Sequence, residues 1–581
     1  MTVPDTAAAP DDTGTPPLRA RRTRTLLGAA GLIAGLTVLA RVVGFGRIFV
    51  FTGAVGYHGV GDIYQVVNTI PNIVFEIVAG GALAAVVVPL LAGAADRRER
   101  ATVDQVTSAL LTWAILLLAP LAVVIAVGAG PIVAGLLGPE ASSADGAFGR
   151  LLLRIFAPQL VLYGVGVVLT GVLQAHRRFA GPALAPLLSS VTVIAAYLVY
   201  GRMESGAENA VDVGLAGQLV LAVGTTLGVV VLSLSLLVPL RGTGVRIRPT
   251  LRFPPGVVEQ VGRLVGSGVA TVVGQQLALL VALLLAKRWS APDGSVVVFT
   301  MAQTVFLLPW AVFAVPLATS AYPRLAAAWE RADHSGYRDT LRTTLNGTLV
   351  LCALATAALI AGAEPIAAVV TAAGDGDASR SAVAAGVALF APGLLGYGLF
   401  ALLSRALYAA GRPGPVAVAV LGGWAVTAVA DVVLALVLPA GDRVAALAAG
   451  NTIGMTVLGV ALLVLTARIT GAGSLRGLGR LFAALVPAGV VAAAGGAWVA
   501  SAIPGDSVLA VLGVGAVTAV SVVVLFVVVL RVVGRLVGAE TGVPLRRPGE
   551  TRRTKSVTKL SDRPGMLDPE RQVTDHEGEK A

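Results

Sequence analysis

Phe156-Ala-Pro-Gln-Leu-Val-Leu-Tyr-Gly164 returns as Phe390-Ala-Pro-Gly-Leu-Leu-Gly-Tyr-Gly398, an offset of 234 residues. The same offset pairs Pro89 with Pro323, Gly128-Ala129 with Gly362-Ala363, and Pro131-Ile132 with Pro365-Ile366. It also pairs Leu173 with Leu407, Ala175 with Ala409 and Arg178 with Arg412. One offset held across separate stretches marks an internal duplication, and it predicts two similar lobes.

Composition names the solvent. The chain has 581 residues, of which 56% are hydrophobic and 13% charged. Its mean hydropathy is +0.85. Soluble domains carry about 25% charged residues, so this chain is read as an all-α polytopic membrane protein. The net charge of +11 does not point to nucleic acid, because the basic residues fall in short loops and tails. A single cysteine, Cys352, excludes internal disulfides and a cysteine-ligated metal. His58, His176, His334 and His576 are too scattered for a metal or catalytic cluster, and no phosphate-binding loop or nucleophile elbow is present. Neither a cofactor nor an enzymatic activity is expected.

A membrane-spanning helix needs about 20 apolar residues. Fourteen stretches qualify: 26–54, 62–93, 104–128, 150–175, 182–201, 213–239, 258–287, 295–325, 342–362, 382–409, 414–438, 444–468, 478–502 and 507–534. The pieces at 131–137 and from 365 read as short re-entrant or interfacial segments. Arginines at 97, 98, 100, 177, 178, 241, 246, 248 and 252 in the first half fall on one side of this count. Those at 324, 331, 338, 342, 405, 412, 468, 476 and 480 fall on the same side. The opposite side holds few. The crowded side is expected to be cytoplasmic, with both termini there. No small-residue cleavage site follows the basic run at Arg19–Arg24, so the first span is expected to be retained. The expected organisation is a basic, disordered N-terminus (1–25), an N-lobe of six helices (26–240) and a cytoplasmic linker (241–257). A six-helix C-lobe (258–468), two appended helices (478–534) and a disordered cytoplasmic tail (535–581) follow. The repeat covers six helices, an even number, so the lobes should be related by an axis along the membrane normal. In so apolar a chain this predicts a transporter that handles its substrate where the lobes meet.

A charge inside a span costs on the order of 3 kcal/mol and so marks a site. Arg41 and Arg47 lie within the first span and suit an anionic substrate, since guanidinium matches phosphate oxygens as a planar fork. Their plain alternative is snorkelling toward headgroups. Six residues apart, they stand about 120° apart on a helix. Asp62 opens the second span, where a helix cap is the plain alternative. Glu76 lies deeper, after Pro71-Asn72, as an ion-pair partner or proton site. Asp431, with Thr427 one turn before it, offers a carboxylate and a hydroxyl for Na⁺ or H⁺, or else a structural pair. Gln275, Gln276 and Gln303 line a cavity or bond across helices.

Ala40-Arg-Val-Val-Gly-Phe-Gly-Arg47, then Gly61-Asp62, Ile70-Pro-Asn72, Gly81-Ala82 and Val88-Pro-Leu-Leu91, resemble the opening helices of MurJ/MviN proteins. Leu173-Gln-Ala-His-Arg-Arg-Phe179 with Pro182-Ala-Leu-Ala-Pro186 resembles that family's connection between helices 4 and 5. Leu407-Tyr408 with Arg412-Pro413 resembles the counterpart between helices 10 and 11. The resemblance spans about 25–530. It implies a lipid II flippase of the bacterial plasma membrane, in the superfamily that includes the MATE drug antiporters. Its cargo is an undecaprenyl-diphosphate-linked glycan lipid. Arg41 and Arg47 match two of the family's cavity arginines and Asp62 an acidic position; Glu76 and Asn72 complete the expected cavity set. Asp431 matches an acid implicated in cation binding, so Na⁺, H⁺ or the membrane potential is the expected drive. Phe75, Gly80, Thr304 and Ile48 stand where the family commonly carries charge. The alternatives are a flippase for another undecaprenyl-linked glycan, a non-transporting cell-wall scaffold recruiting synthesis proteins through its tail, and a cation-coupled drug antiporter.

Overall fold

The structure, a computed structural model, describes residues 39–78, 99–204, 209–254, 257–288, 291–372, 377–503 and 507–539, with a few isolated positions besides. The expected N-terminal segment, the tail and Gly80 lie outside the described residues. The described residues are helical and include no strand. Ten helices are long and apolar enough to cross a bilayer, or eleven if the pair Ser379–Phe390 and Gly393–Ala409, bent by 45°, counts as one span. These cover eleven of the fourteen expected spans. The other three, at 26–54, 62–93 and 258–287, run into residues or side chains outside the described set.

The first half opens with α1 (39–54) and α2 (Val60–Glu76). Then come α3 (Arg100–Val127), α4 (Ala129–Leu137), α5 (Ser143–Phe156), α6 (Gln159–Ala175), α7 (Ala180–Met203), α8 (Leu215–Leu234) and α9 (Leu237–Arg241). The second half has α10 (Val257–Lys287), α11 (Ser295–Pro309), a π turn, α12 (Val315–Glu330), α13 (His334–Ala361) and α14 (Ala363–Thr371). It continues with α15 (Asp377–Phe390), α16 (Gly393–Ala409), α17 (Pro413–Val437) and α18 (Arg443–Thr470), and ends with α19 (Leu478–Ala502) and α20 (Val508–Val537). The bounds of α3 to α6 recur in α13 to α16 with a shift of 234 at every start and every end.

Local chemistry sets these ends. Pro158 and Pro392 precede α6 and α16, because proline lacks the N–H a helix interior needs but tolerates its first turn. Ser142 and Asp145 form a capping box on α5. Asp333 caps α13 by accepting from the Gly336 amide at 2.8 Å. The short helices α4 and α14 each follow a glycine, Gly128 and Gly362, and occupy the places read as re-entrant pieces.

Within each half, α3 packs on α6 and α13 on α16, while α19 and α20 pack together and against α13. The outward faces stay apolar. Leu509 and Leu536 of α20 are each 81% exposed, which is tolerable only where the surroundings are hydrocarbon.

One feature has no sequence signature of its own. After α9 the chain runs extended beside the start of α3. The Arg246 amide donates to Asp104 Oδ1 at 3.0 Å, Arg248 to Ser108 Oγ at 2.9 Å and Thr250 to Thr112 Oγ1 at 3.2 Å. Gln105 Nε2 donates to the Arg252 carbonyl and Trp113 Nε1 to that of Leu251, both at 3.2 Å. Two residues of extended chain advance about 6.6 Å and four of helix about 6 Å, so the two registers match.

Candidate functional site

A cavity of about 420 Å³ lies where the two halves meet. The first half contributes Arg47 and Ile48 of α1, Asn68, Asn72 and Phe75 of α2, Tyr163 of α6, and Tyr197 of α7. The second half contributes Val297, Thr300, Met301 and Thr304 of α11. Arg47 is the one charged side chain among the described lining residues. The rest of the polar surface is hydroxyl and amide. Tyr64 Oη pairs with Tyr197 Oη and with Thr225 Oγ1, both at 2.8 Å, and Tyr163 Oη donates to Asn72 Oδ1 at 3.2 Å. Phe75 packs on Tyr163 with ring centroids 4.5 Å apart. Pro71 lies inside α2 just before Asn72 and cannot donate to the carbonyl of Val67, so the helix ladder is broken beside the cavity.

Such a surface offers one fixed positive charge, hydroxyls that donate or accept, and aromatic faces. This set suits an anionic group attached to a polyhydroxylated body. An apolar chamber of about 320 Å³ adjoins it and shares Phe75, Tyr163 and Pro186.

One end of this region is stitched shut across the halves. Lys287 Nζ, at the end of α10, donates to Asp62 Oδ2 of α2 at 2.6 Å, and the Val296 amide donates to Asp62 Oδ1 at 3.1 Å. Lys287 also reaches Asp293 Oδ1 at 3.1 Å. Asp293 accepts from the Gly59 amide at 2.9 Å, and the His58 ring Nδ1 meets the Asp293 carbonyl at 3.0 Å. Tyr57 Oη donates to the Val370 carbonyl of α14 at 3.0 Å, and Arg288 donates to the Gly135 carbonyl of α4. Asp62 is 1% exposed and Lys287 18%, so this pair is shielded from water. Burial pushes the Asp293 carboxyl up, but the Gly59 amide, the Lys287 ammonium and His58 outweigh it and hold the group below its ordinary value.

Gly294 shows how tight the closure is. Its φ of +84° is one that L side chains rarely adopt, and a Cβ there would meet His58 Nδ1 at 2.8 Å.

Solved structures share this architecture. A solved structure described as lipid II flippase MurJ in an inward closed conformation superposes with a TM-score of 0.68 at 17% identity, covering 87% of this chain and 99% of that one. An inward-facing multidrug resistance MATE family transporter of the MOP superfamily gives 0.61 at 13% identity, covering 77% and 99%. At these identities the likeness establishes the fold alone. The family model for lipid II flippase MurJ matches residues 52–515. The chain belongs to the MurJ family. A probable lipid II flippase MurJ of Synechocystis is 30% identical over 41% of this chain and 45% of its own length. The lipid II flippase MurJ of Burkholderia cenocepacia is 32% identical over 28% and 32%. The matched stretches thus span less than half the length of these curated relatives.

Against the residues expected of a MurJ protein, the placements divide. Arg47 and Asn72 line the cavity, and Ile48, Phe75 and Thr304 occupy its wall as uncharged residues. Arg41 is exposed on α1 and is not among the lining residues, as its 120° separation from Arg47 allows. Glu76 is exposed at the end of α2 and makes no ion pair among the described residues. Asp62 stands in the closed end instead of on the cavity wall, and its carboxylate serves the opposite half instead of capping its own helix. Gln276 is buried and Gln303 half-buried, while Gln275 is exposed.

Asp431 and Thr427 sit together on the buried face of α17, against α18. A Cβ at Gly450 would collide with Asp431 and one at Gly454 with Thr427, so this pair of glycines four residues apart makes room for them. Asp431 Oδ1 and Asn451 Oδ1 are buried without a hydrogen-bond partner. The open acceptor on Asp431, next to the Thr427 hydroxyl, fits a hard cation or a proton. No cluster of three metal-ligating side chains occurs among the described residues.

Sequence reasoning passed over Lys287, Asp293 and the three cavity tyrosines. Lys287 carried a signal: the other lysines are Lys555, Lys559 and Lys580, so it is the one lysine of the helical region in an arginine-rich chain.

Proposed function

We propose that the chain is a flippase that carries lipid II, an undecaprenyl-diphosphate-linked peptidoglycan precursor, from the inner to the outer leaflet by alternating access. The observation that carries this reading is the polar cavity between the halves of a MurJ-family chain, closed at one end. In this reading the Arg47 guanidinium pairs with diphosphate oxygens in a poorly screened cavity. The hydroxyls of Tyr163 and Thr300 and the amides of Asn68 and Asn72 receive the sugars, and the lipid tail stays in the bilayer. Fourteen helices form two six-helix lobes plus two appended helices. Both termini face the cytoplasm, as the arginine distribution supports.

Asp431 and Thr427 are the proposed site for a coupling Na⁺ or H⁺; the membrane potential is the alternative drive. The tail is the proposed contact for cell-wall synthesis proteins.

The test is complementation of a strain depleted of its own lipid II flippase, with lipid II exposure at the outer leaflet as the readout. Rescue by the parent and its loss in Arg47→Ala is the expected result. A second reading has its own support. With Ile48, Phe75 and Thr304 uncharged, the described lining carries one cation, which suits a different undecaprenyl-linked glycan. Correct membrane insertion without rescue would favour that cargo. A scaffold would lose function on deletion of 540–581, whereas a flippase would keep most of it.

A further inference from the structure

We propose that Lys287 is the latch that holds the outer face of the protein shut, and that its release from Asp62 opens that face. The inference rests on the alternating-access reading but not on the identity of the cargo.

The first argument is position. Gly59 and Asp293 are hydrogen-bonded and stand 234 residues apart, as do Asp62 and Val296. That separation is the repeat offset, so each of these residues touches its own counterpart. Under a two-fold relation, a point meets its own image only close to the axis. The cluster therefore sits at the pivot between the halves, where a small rotation separates partners on opposite sides.

The second argument is chemistry. At this pivot the two halves have diverged. Asp62 faces Val296, and the counterparts of Lys287 and Asp293 are Gly53 and Gly59. The charges are thus complementary between halves, an acid from the first and a base from the second. A shielded pair of this kind is strong while it is together and costly to split unless another group replaces a partner. Val297, next to the residue that donates to Asp62, lines the cavity. The latch is therefore the ceiling of the cavity.

The third argument is what else lies there. Tyr57 reaches α14 of the other half and Arg288 reaches α4 of the first, so each half clasps the short helix of its neighbour. These two bonds end on backbone carbonyls and are neutral or singly charged. Lys287 is the one member that bridges two carboxylates. The arginine-poor side of the span count holds all of these groups, which makes this the outer face.

The experiment reads accessibility in intact cells. In the full chain with Cys352→Ser, Thr300→Cys places a reporter on the cavity wall, to be labelled with a membrane-impermeant maleimide from outside. Lys287→Met keeps the length and removes the charge, and should raise the labelling rate by about fivefold or more. Lys287→Arg keeps the charge and should label at the parental rate. Asp293→Asn, at the exposed rim, should give a smaller rise and serves if Lys287→Met does not accumulate. Parental labelling in Lys287→Met, or equal labelling in the Met and Arg variants, would overturn the latch. An unsubstituted chain that fails to restore lipid II export, while labelling of the Thr300→Cys reporter still responds to Lys287→Met, would overturn the flippase reading and leave the latch standing.

Discussion

Asp293 links single-residue chemistry to a measurable pH dependence. Its carboxyl is held below its ordinary value in the folded protein by the Gly59 amide, Lys287 and His58, against the effect of burial. A group depressed in this way stabilises the fold above its unfolded value, about 3.9, and the contribution is lost as pH falls through the lower folded value. The unfolding temperature in detergent should therefore hold from neutral pH to about pH 4 and fall below it, and Asp293→Asn should flatten that fall. Gly294→Ala should lower stability by about 1–2 kcal/mol, because φ of +84° is strained for any other residue. A thermal-unfolding midpoint unchanged from the parent would show that the loop relaxes. Much of this was legible in the residues: an arginine in the first span, a carboxylate after Gly61 and a buried acid in helix α17 were each singled out by their cost in lipid. Their partners were not, because Lys287 and Asp62 are 225 positions apart and only packing brings them together.

Helices show the same division. The spans were readable because hydrocarbon demands about 20 apolar residues whatever the fold. The glycine pair that seats Asp431 was not, since it belongs to the neighbouring helix and its role is to leave space. Gly450→Ala should force α17 and α18 apart and cost about 1–3 kcal/mol as overpacking does. Asp431→Asn tests the same contact from the other side. If the pair holds Na⁺, the parent should gain thermal stability with added Na⁺ and the Asn variant should gain none. Equal responses would remove the cation from this site. The ladder on α3 is weaker in each rung but cooperative along its length. Removing Ser108 and Thr112 hydroxyls together, as Ser108→Ala with Thr112→Val, should cost about 1 kcal/mol each. Limited proteolysis after Arg246 and Arg248 should then quicken.

At the scale of the whole molecule, the repeat at an offset of 234 residues carries the most information, since it implies two halves and a site where they meet. The arginine distribution likewise predicts the sides of the membrane, because the positive-inside rule is a property of loops and needs no packing. The weak charge of the cavity wall was also legible, since Ile48, Phe75 and Thr304 stand where the family commonly carries charge and all three line the cavity. If the Arg47 fork is the main anion contact, Arg47→Ala should abolish rescue of a flippase-depleted strain while Arg41→Ala, on the exposed face, leaves most of it. Equal loss from both would place Arg41 in the cavity in some state other than this one.

The extended run beside α3 carries a consequence for how the gene can be cut. Asp104, Ser108, Thr112, Gln105 and Trp113 all belong to the first half, and they hold the backbone as far as Arg252. The stretch 246–252 is therefore the closing element of the first half more than a free cord between two bodies. A chain divided after Pro254 would give two polypeptides, the first of which keeps this element in place as its own C-terminus. A division after Arg241 would give the element to the second polypeptide as a loose leader, and leave three side chains on α3 with nothing to accept from. Co-expressed pairs split at 254 should assemble and those split at 241 should not.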